Sequence, residues 1–350
     1  SVELWSGFDE YCRERGAPGL PEGEFIHESP LLNLYIYPEE VDYRRANPLG
    51  PTWHNLNSSV RTTDPSWSVP AEIAEGDGGL IYLSLGSLGS GNHFLEVQEV
   101  AEIVDQDAAA EYGLAEGTLT VMIHSGSRGL GHQVCTDFLR EMERAASREH
   151  IELPDRQLAC ASFAGAAGRR YYGAMVAASN FARANRQVMT GLIRRSFERI
   201  FGPGRDLGLV YDVCHNIAKV EHHGGRDVVV HRKGATRSFP GQPVLIPGDM
   251  QRASWVLRGL ETSLQRSFGS TCHGAGRVLG RGEAKRRIRG EDLKRQLDEA
   301  GVLVKAGKVA LLVEEAPQAY KDVSEVVDVC EGAGLSAKVA RLRPLAVLKG

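Results

Sequence analysis

The chain has 350 residues, 42% hydrophobic and 25% charged, enough apolar material for a sizeable core in one large domain or two intimate ones. Its formal charge of −4 excludes a chain-wide attraction to nucleic acid, so RNA binding would need local basic patches, and no run reaches the roughly 20 apolar residues of a membrane span. Six cysteines at 12, 135, 160, 214, 272 and 330, with no CxxC pair, point to the reduced thiols of a cytoplasmic protein and not to a disulfide framework.

In chain order, Ser1–Glu10 carries three acids and no base, which does not read as a signal or transit peptide. Residues 1–80 are irregular, rich in Pro, Gly, Asn and Ser, with one short helix expected at Asp9–Arg15. From there to residue 350 the chain reads as one domain. Phe94–Ile103 alternates as a strand does, and Thr118–Ile123 is a β run ending on His124. Gln133–His150 has the pattern of an amphipathic helix. Residues 161–200, rich in Ala, read as one long helix or as two broken near Gly191. Strands are expected at Leu207–Cys214, Asp227–Arg232 and Pro243–Ile246, and a basic helical stretch at Glu283–Ala300. The last part alternates strand Val309–Val313, helix Tyr320–Cys330 and strand Ala337–Leu348. Strands and helices interleave without a regular βαβ period, so the expected class is α+β.

Four segments set a histidine among glycines or small polar residues: Gly89–Phe94, His124–Gly129, Cys214–Asn216 and Thr271–Arg277. Imidazole suits Mn, Fe, Co, Ni, Cu and Zn. Glycine beside a ligand lets the backbone approach an anion, and successive N–H groups can cradle it. Taken singly, each histidine is more readily a hydrogen-bonded structural residue than a ligand. The four together favour a site without naming its chemistry. His231–Arg237 places Arg232, Lys233 and Arg237 around a glycine, as either a phosphate-binding turn or an ordinary solvated one. Pro247–Met250 reads as a tight turn after a strand.

In order, the segments GSLGSGNHFLE (Gly86–Glu96), HSGSRGLG (His124–Gly131), HNIAK (His215–Lys219), VHRKGAT (Val230–Thr236), PVLIPGDM (Pro243–Met250), HGAGR (His273–Arg277) and EEAPQAYK (Glu314–Lys321) resemble the motif series of the RtcB-type RNA-splicing ligases. The resemblance covers residues 80–350. It implies an RtcB-like α+β fold with mixed sheets and helices around a metal and nucleotide cleft. It also implies an enzyme that joins RNA 3′-phosphate or 2′,3′-cyclic phosphate ends to 5′-hydroxyl ends with GTP and two Mn²⁺, in tRNA splicing or RNA repair. His273 matches the histidine that takes GMP onto its ring; a neutral imidazole is a competent nucleophile near pH 7. His93, His124 and His215 match metal ligands. Asn92, His93, Phe94, Leu95 and Glu96 match the segment that touches the nucleotide, Glu96 at the guanine edge. His215, Asn216, Pro247, Gly248, Asp249, Met250, Ser254, Gly274, Ala275, Gly276 and Lys349 match further guanylate contacts. Arg128, Arg232, Lys233 and Arg237 are assigned to RNA or phosphate on charge and position. The partners implied are RNA ends and, in some members, an activating protein; the expected state is a cytoplasmic monomer without membrane association.

The match departs from the family in places. Gly7-Phe8-Asp9-Glu10-Tyr11-Cys12 has the spacing of the N-terminal metal segment, which would make Asp9 and Cys12 ligands, but Arg13 stands where the family has glycine. The alternative is an exposed acid and a stray thiol. Asp249 would repel a triphosphate unless Arg252 or a metal pairs it. Two other readings therefore stand beside the ligase: a catalytically impaired nucleotide- or RNA-binding paralogue, and a metal-dependent phosphoesterase.

Overall fold

The computed structural model describes residues 92–349 apart from 156–157, 205–206 and 307–308, with backbone alone at 309–311. It also describes Glu10, Arg13, Leu88 and the backbone of two parallel three-residue strands, β1 (Asn33–Tyr35) and β2 (Trp53–Asn55). Asp9, Cys12 and Gly89–Gly91 lie outside the described residues, as does the expected helix Asp9–Arg15 apart from Glu10 and Arg13. The chain divides into two compact units. One comprises Ser1–Ser87, Gln133–Ala177 and Ala184–Ile200; the other comprises Leu88–His132, Ala178–Arg183 and Phe201–Gly350.

All strands from β3 onward belong to the second unit. They are β3 (Phe94–Ile103), β4 (Leu119–His124), β5 (Asn216–His223), β6 (Arg226–Lys233), β7 (Ala235–Arg237), β8 (Pro243–Ile246), β9 (Ser254–Gly259), β10 (Ser270–Cys272), β11 (Leu303–Ala306) and β12 (Ser336–Lys349). Six of them form one mixed sheet in the order β4-β3-β12-β9-β8, with β11 parallel to β12. Strand β12 is its spine, pairing antiparallel with β9 through Ser336–Leu342 and with β3 through Ala340–Leu348. Strands β5 and β6 make a hairpin around Gly224 and Gly225, both at positive φ, and β7 pairs with β10.

The helices are α1 (Gln106–Glu111), α2 (Gly129–Arg148), α3 (Ala166–Phe201), α4 (Glu261–Ser267), α5 (Arg281–Arg287), α6 (Gly290–Glu299), α7 (Val309–Glu314) and α8 (Val323–Gly332). Side-chain caps start two of them. Asp105 accepts from the Ala108 N–H and Asp322 from the Ser324 N–H, each satisfying an otherwise orphaned donor. In the first unit Phe138 of α2 packs its ring 5.5 Å from Tyr171 of α3.

Three apolar clusters hold the sheet to its helices. Val100, Met122, Val256 and Val339 pack with Ala108 and Ala109 of α1. Val244, Ile246 and Trp255 pack with Val323 and Val327 of α8. Leu293 and Leu297 of α6 pack with Met250, Leu312 and Val347. Burying such side chains contributes about 1.5–3 kcal/mol each, and Met250 and Ala275, from the two candidate site loops, are among them. The loops are therefore nailed to the core at their centres.

Strands Phe94–Ile103 and Pro243–Ile246 match the expectation, and residues 161–200 resolve into one helix, α3, which runs through Gly191. Two expectations fail. Leu207–Cys214 is not a strand: it forms no ladder among the described residues, and Leu209 is exposed. Val309–Val313 lies in α7, not a strand; a short apolar run buried against a core serves either structure equally well. Glu283–Ala300 is helical as expected, in two helices, α5 and α6, because Ile288 and Arg289 between them are extended.

Candidate functional site

Four strand ends deliver the four histidines. His93 immediately precedes β3, His124 ends β4, His215 precedes β5 and His273 follows β10. Ring centroids are 6.2 Å apart for His93 and His124, 4.9 Å for His124 and His215, and 4.9 Å for His215 and His273, the last pair stacked at 18°. A strand end holds its side chain on a rigid element while leaving it open to a cleft.

The Nε2 atoms of His124 and His215 face each other at 3.3 Å. One tautomer pair makes this a hydrogen bond; with both lone pairs inward it is a two-nitrogen grip on a cation. The Nδ1 of His93 is buried without a hydrogen-bond partner among the described residues, an atom that a bound ion would satisfy. Burial, then the Arg128 charge, lowers the His93 ring below its ordinary range. Burial, then the neighbouring His215 ring, lowers His124 well below it. Both rings are thus kept in the neutral form that donates a lone pair. Imidazoles of this kind suit a borderline divalent ion such as Zn²⁺, Fe²⁺ or Ni²⁺, and the harder Mn²⁺ only with oxygen ligands added, so the set is a partial shell. Among the described residues no three His, Cys, Asp or Glu converge closely enough to hold an ion, and Asp9 and Cys12 lie outside them.

Beside the histidines is a pocket of about 300 Å³, at the small end of the range for ligand sites. Sheet register builds one wall. Phe94 pairs with His124, Glu96 with Met122 on one side and Val347 on the other, so period-two alternation turns Phe94, Glu96, His124 and Lys349 to one face. Phe94 meets the His124 ring edge-on at 5.3 Å. Leu95 takes the opposite face of β3 and does not line the pocket. The facing wall is made of Pro247–Met250 and Gly274–Gly276, tied together by the Ala275 N–H donating to the Pro247 carbonyl. Gly248 is required there, because a Cβ would sit 1.9 Å from the Ala253 carbonyl oxygen. Gly276 has φ +74°, where L side chains are strained. His273 lines this pocket too, so it joins the histidine cluster to the hollow.

Two buried ionisable groups face into the hollow. Burial pushes the Glu96 carboxyl up to about 8, against the hydrogen bond donated at 2.6 Å by Gln98. Burial lowers the Lys349 ammonium to about 8, and among the described residues it has no ion pair within 4.0 Å. Asp249 is paired, as its position demands: its carboxylate accepts from the Gln251 and Arg252 N–H groups at 2.9 Å and from the Arg252 side chain at 3.0 Å. Asn92 lines the pocket, whereas Asn216, Ser254, His93 and His215 do not. Ser254 supports the wall, accepting from the Gly248 N–H at 3.3 Å.

Pocket-lining residues not singled out from sequence are Arg277, Arg281, Glu315 and Tyr320. Arg277 donates to Glu315 at 3.2 Å and to the Tyr320 hydroxyl at 2.9 Å, its guanidinium 4.8 Å from the Tyr320 ring centre. Arg281 pairs with Glu315 at 3.4 Å. Burial, then the Glu315 charge, drives the Tyr320 hydroxyl up and keeps it a donor. The signal for Arg277, Glu315 and Tyr320 was the quoted HGAGR and EEAPQAYK segments, which meet through a bridge between Arg277 and Tyr320.

Among the four cations expected to face phosphate, Arg232 is misassigned. It is 2% exposed, and its guanidinium is consumed by Glu221 at 2.7 and 2.8 Å, Ser270 at 2.9 Å and the Phe268 carbonyl. It is a structural residue. Arg237 donates to the Tyr211 hydroxyl at 2.9 Å and lies over the Phe239 ring. Lys233 is exposed, and Arg128 is half-buried beside His93 at φ 57°. A second hollow, of about 400 Å³, is lined by Gln251, Arg252, Gln296, Asp322, Ser324 and Arg341 among others, with no imidazole or thiol.

A family model described as tRNA-splicing ligase RtcB matches residues 68–350. Curated relatives described as tRNA-splicing ligase RtcB include that of Methanocaldococcus jannaschii, 51% identical over 77% of this chain and 30% of its own. That of Archaeoglobus fulgidus is 51% identical over 76% and 59%, and that of Pyrococcus horikoshii 53% identical over 76% and 33%. The chain spans from 30% to 59% of the length of these three relatives. It belongs to the RtcB family.

Proposed function

We propose that the chain is a GTP- and Mn²⁺-dependent RNA ligase that joins RNA 3′-phosphate or 2′,3′-cyclic phosphate ends to 5′-hydroxyl ends through a guanylylated His273. The observation that carries this reading is that one imidazole, His273, is both stacked on His215 and exposed to the pocket holding Glu96 and Lys349. A hydrolase has no need of a guanylylated residue.

In this reading the pocket takes the guanylate. Glu96 accepts from the guanine N1–H and exocyclic amine, donors that favour its carboxylate over the protonated form. Lys349 supplies a desolvated positive charge to the nucleotide. A ring nitrogen of His273 attacks the α-phosphorus; the P–N bond forms, the bond to the bridging oxygen breaks and pyrophosphate leaves. An RNA 3′-phosphate oxygen then takes the GMP from His273. The RNA 5′-hydroxyl attacks the activated phosphate, sealing the strand and expelling GMP. His93, His124 and His215, with Asp9 and Cys12, are the residues that would hold the two ions. When bound, Mn²⁺ neutralises phosphate charge and polarises the phosphorus under attack. The family's names, tRNA-splicing ligase RtcB, agree with an RNA substrate.

The test is incubation with Mn²⁺ and GTP labelled on its α-phosphate. An acid-labile label is expected on the protein and absent from His273→Ala; a wild-type protein that takes no label overturns the reading. The incomplete metal shell among the described residues supports one rival, a nucleotide- or RNA-binding paralogue. Metal counting separates the two: about two Mn²⁺ per chain for the ligase, none for the paralogue.

A further inference from the structure

The second hollow, of about 400 Å³, lies wholly within the unit that carries the large sheet, and the proposed guanylylation does not use it. Its size falls in the range of small-molecule sites. Gln251 and Arg252 reach it from the loop after β8, Gln296 from α6, Gln318 from the turn before Tyr320, Asp322 from the start of α8 and Arg341 from β12. The three glutamines form one row: Gln318 donates to Gln296 at 2.6 Å, and Gln296 to Gln251 at 2.5 Å. A primary amide has two N–H donors and two lone pairs. Each glutamine therefore keeps a donor and an acceptor to spare, whichever way the amides are turned. Arg341 is half-buried in the same hollow and has no ion pair within 4.0 Å among the described residues. Asp322 supplies the opposite charge. One of its oxygens caps the Ser324 N–H, and the other lies 4.0 Å from the Arg252 guanidinium. That guanidinium also holds Asp249 of the pocket beside His273, at 3.0 Å, so the loop Asp249–Arg252 is a wall common to both hollows.

We propose that this hollow is a ribonucleotide subsite, in which Arg341 takes the phosphate, Asp322 the ribose hydroxyls and the glutamine row the base edge. A guanidinium without a protein carboxylate presents the planar fork that matches phosphate oxygens. A carboxylate accepts from ribose hydroxyls, and the 2′-hydroxyl is the group that tells RNA from DNA. Amides that both donate and accept can meet the edge of any base, so the subsite reads the sugar and the phosphate more than the sequence. On the ligase reading, on which this role alone rests, the nucleotide belongs to a strand whose end is presented to His273, one loop away. A free nucleotide offers the same three groups.

The experiment measures binding to the full chain without GTP or Mn²⁺. Fluorescence anisotropy follows a short labelled 3′-phosphorylated RNA, calorimetry follows uridine 3′-monophosphate, and the deoxy form of each is run beside it. Arg341→Gln should weaken binding about tenfold, and Arg341→Lys, which keeps the charge, should recover part of the loss. Gln296→Leu, on the partly exposed side of α6, should weaken ribo and deoxy forms alike. Asp322→Ser keeps a capping side chain for α8 and should narrow the preference for the ribo form. Losses for both ligands mark a strand nucleotide and losses for the mononucleotide alone a free one; either bears the subsite out. Unchanged affinity in both Arg341→Gln and Gln296→Leu overturns it, as does equal affinity for the ribo and deoxy forms. Inorganic phosphate competing as well as the mononucleotide would reduce the hollow to an anion site and overturn it too. If wild type takes no label from GTP, the ligase reading fails while the binding curves still judge the hollow.

Discussion

Arg232 and Lys349 are both cations taken almost wholly out of water, 2% and 4% exposed, yet they do opposite things. Arg232, in the β5–β6 hairpin, has a two-pronged carboxylate partner, a hydroxyl and carbonyls around it. Lys349, at the end of β12, has no ion pair among the described residues, and burial lowers it to about 8. A buried charge with its partners supplied belongs to the scaffold, whereas one without them is held for a ligand. Burial alone does not separate the two; the partner inventory does.

The sharpest way to break this contrast is to remove the scaffold charge. Arg232→Ala strands Glu221 in a site where its side chain is only 9% exposed and should cost about 3–5 kcal/mol of stability, read by chemical denaturation. A loss below about 1 kcal/mol would mean that the pair is not structural.

Glu96 extends the comparison to an acid. Its folded value, about 8, lies above the ordinary 4.5, so the unfolded chain ionises first as pH rises. Stability is full below the unfolded value, declines by about 1.4 kcal/mol per pH unit between there and pH 8, and is level above it. Glu96→Gln should therefore gain stability over wild type by roughly 2–3 kcal/mol between pH 5 and 7, measured as urea midpoints across that range. Parallel pH profiles would contradict a buried, unpaired carboxyl.

Lys349→Met carries the smallest effect and the most informative sign. It should weaken guanine nucleotide binding about tenfold, or 1.4 kcal/mol, while raising Tm at pH 7. The gain should shrink between pH 8 and 10.5, since the folded ammonium loses its proton at about 8 and the unfolded one only at 10.5. Calorimetric titration with GTP and thermal melts measure both. A variant that melts lower would put Lys349 with Arg232 in the scaffold.

Much of the fold was readable because periodicity reports burial. Phe94–Ile103 alternates and is flanked by glycine and turn residues, and Pro243–Ile246 shows the same code in four residues. Where the reading failed, the deciding information lay elsewhere in the chain. Val309–Glu314 coils because α6 and β12 offer a helix-shaped place, with Leu312 and Val313 in their shared cluster. Leu207–Cys214 has strand composition but, among the described residues, no neighbour to complete its ladder. At the site, the histidines and their glycines were legible, since that pairing of residue types is rare outside binding loops. The direction of Arg232 was not: alternation along β6 turns it inward while Lys233 points out, and register is fixed only by the hairpin. Arg281 joins the pocket through packing that no local pattern announces.

The four imidazoles ride on strands drawn from residue 93 through residue 273, none adjacent to the next along the chain. No single motif segment can assemble the set, and long-range pairings of this kind form slowly. A chain whose hairpin or spine is misregistered keeps every motif yet lacks the cluster. On the proposed reading, guanine nucleotide would by mass action stabilise only correctly registered molecules, by about 2.7 kcal/mol for a hundredfold excess over Kd.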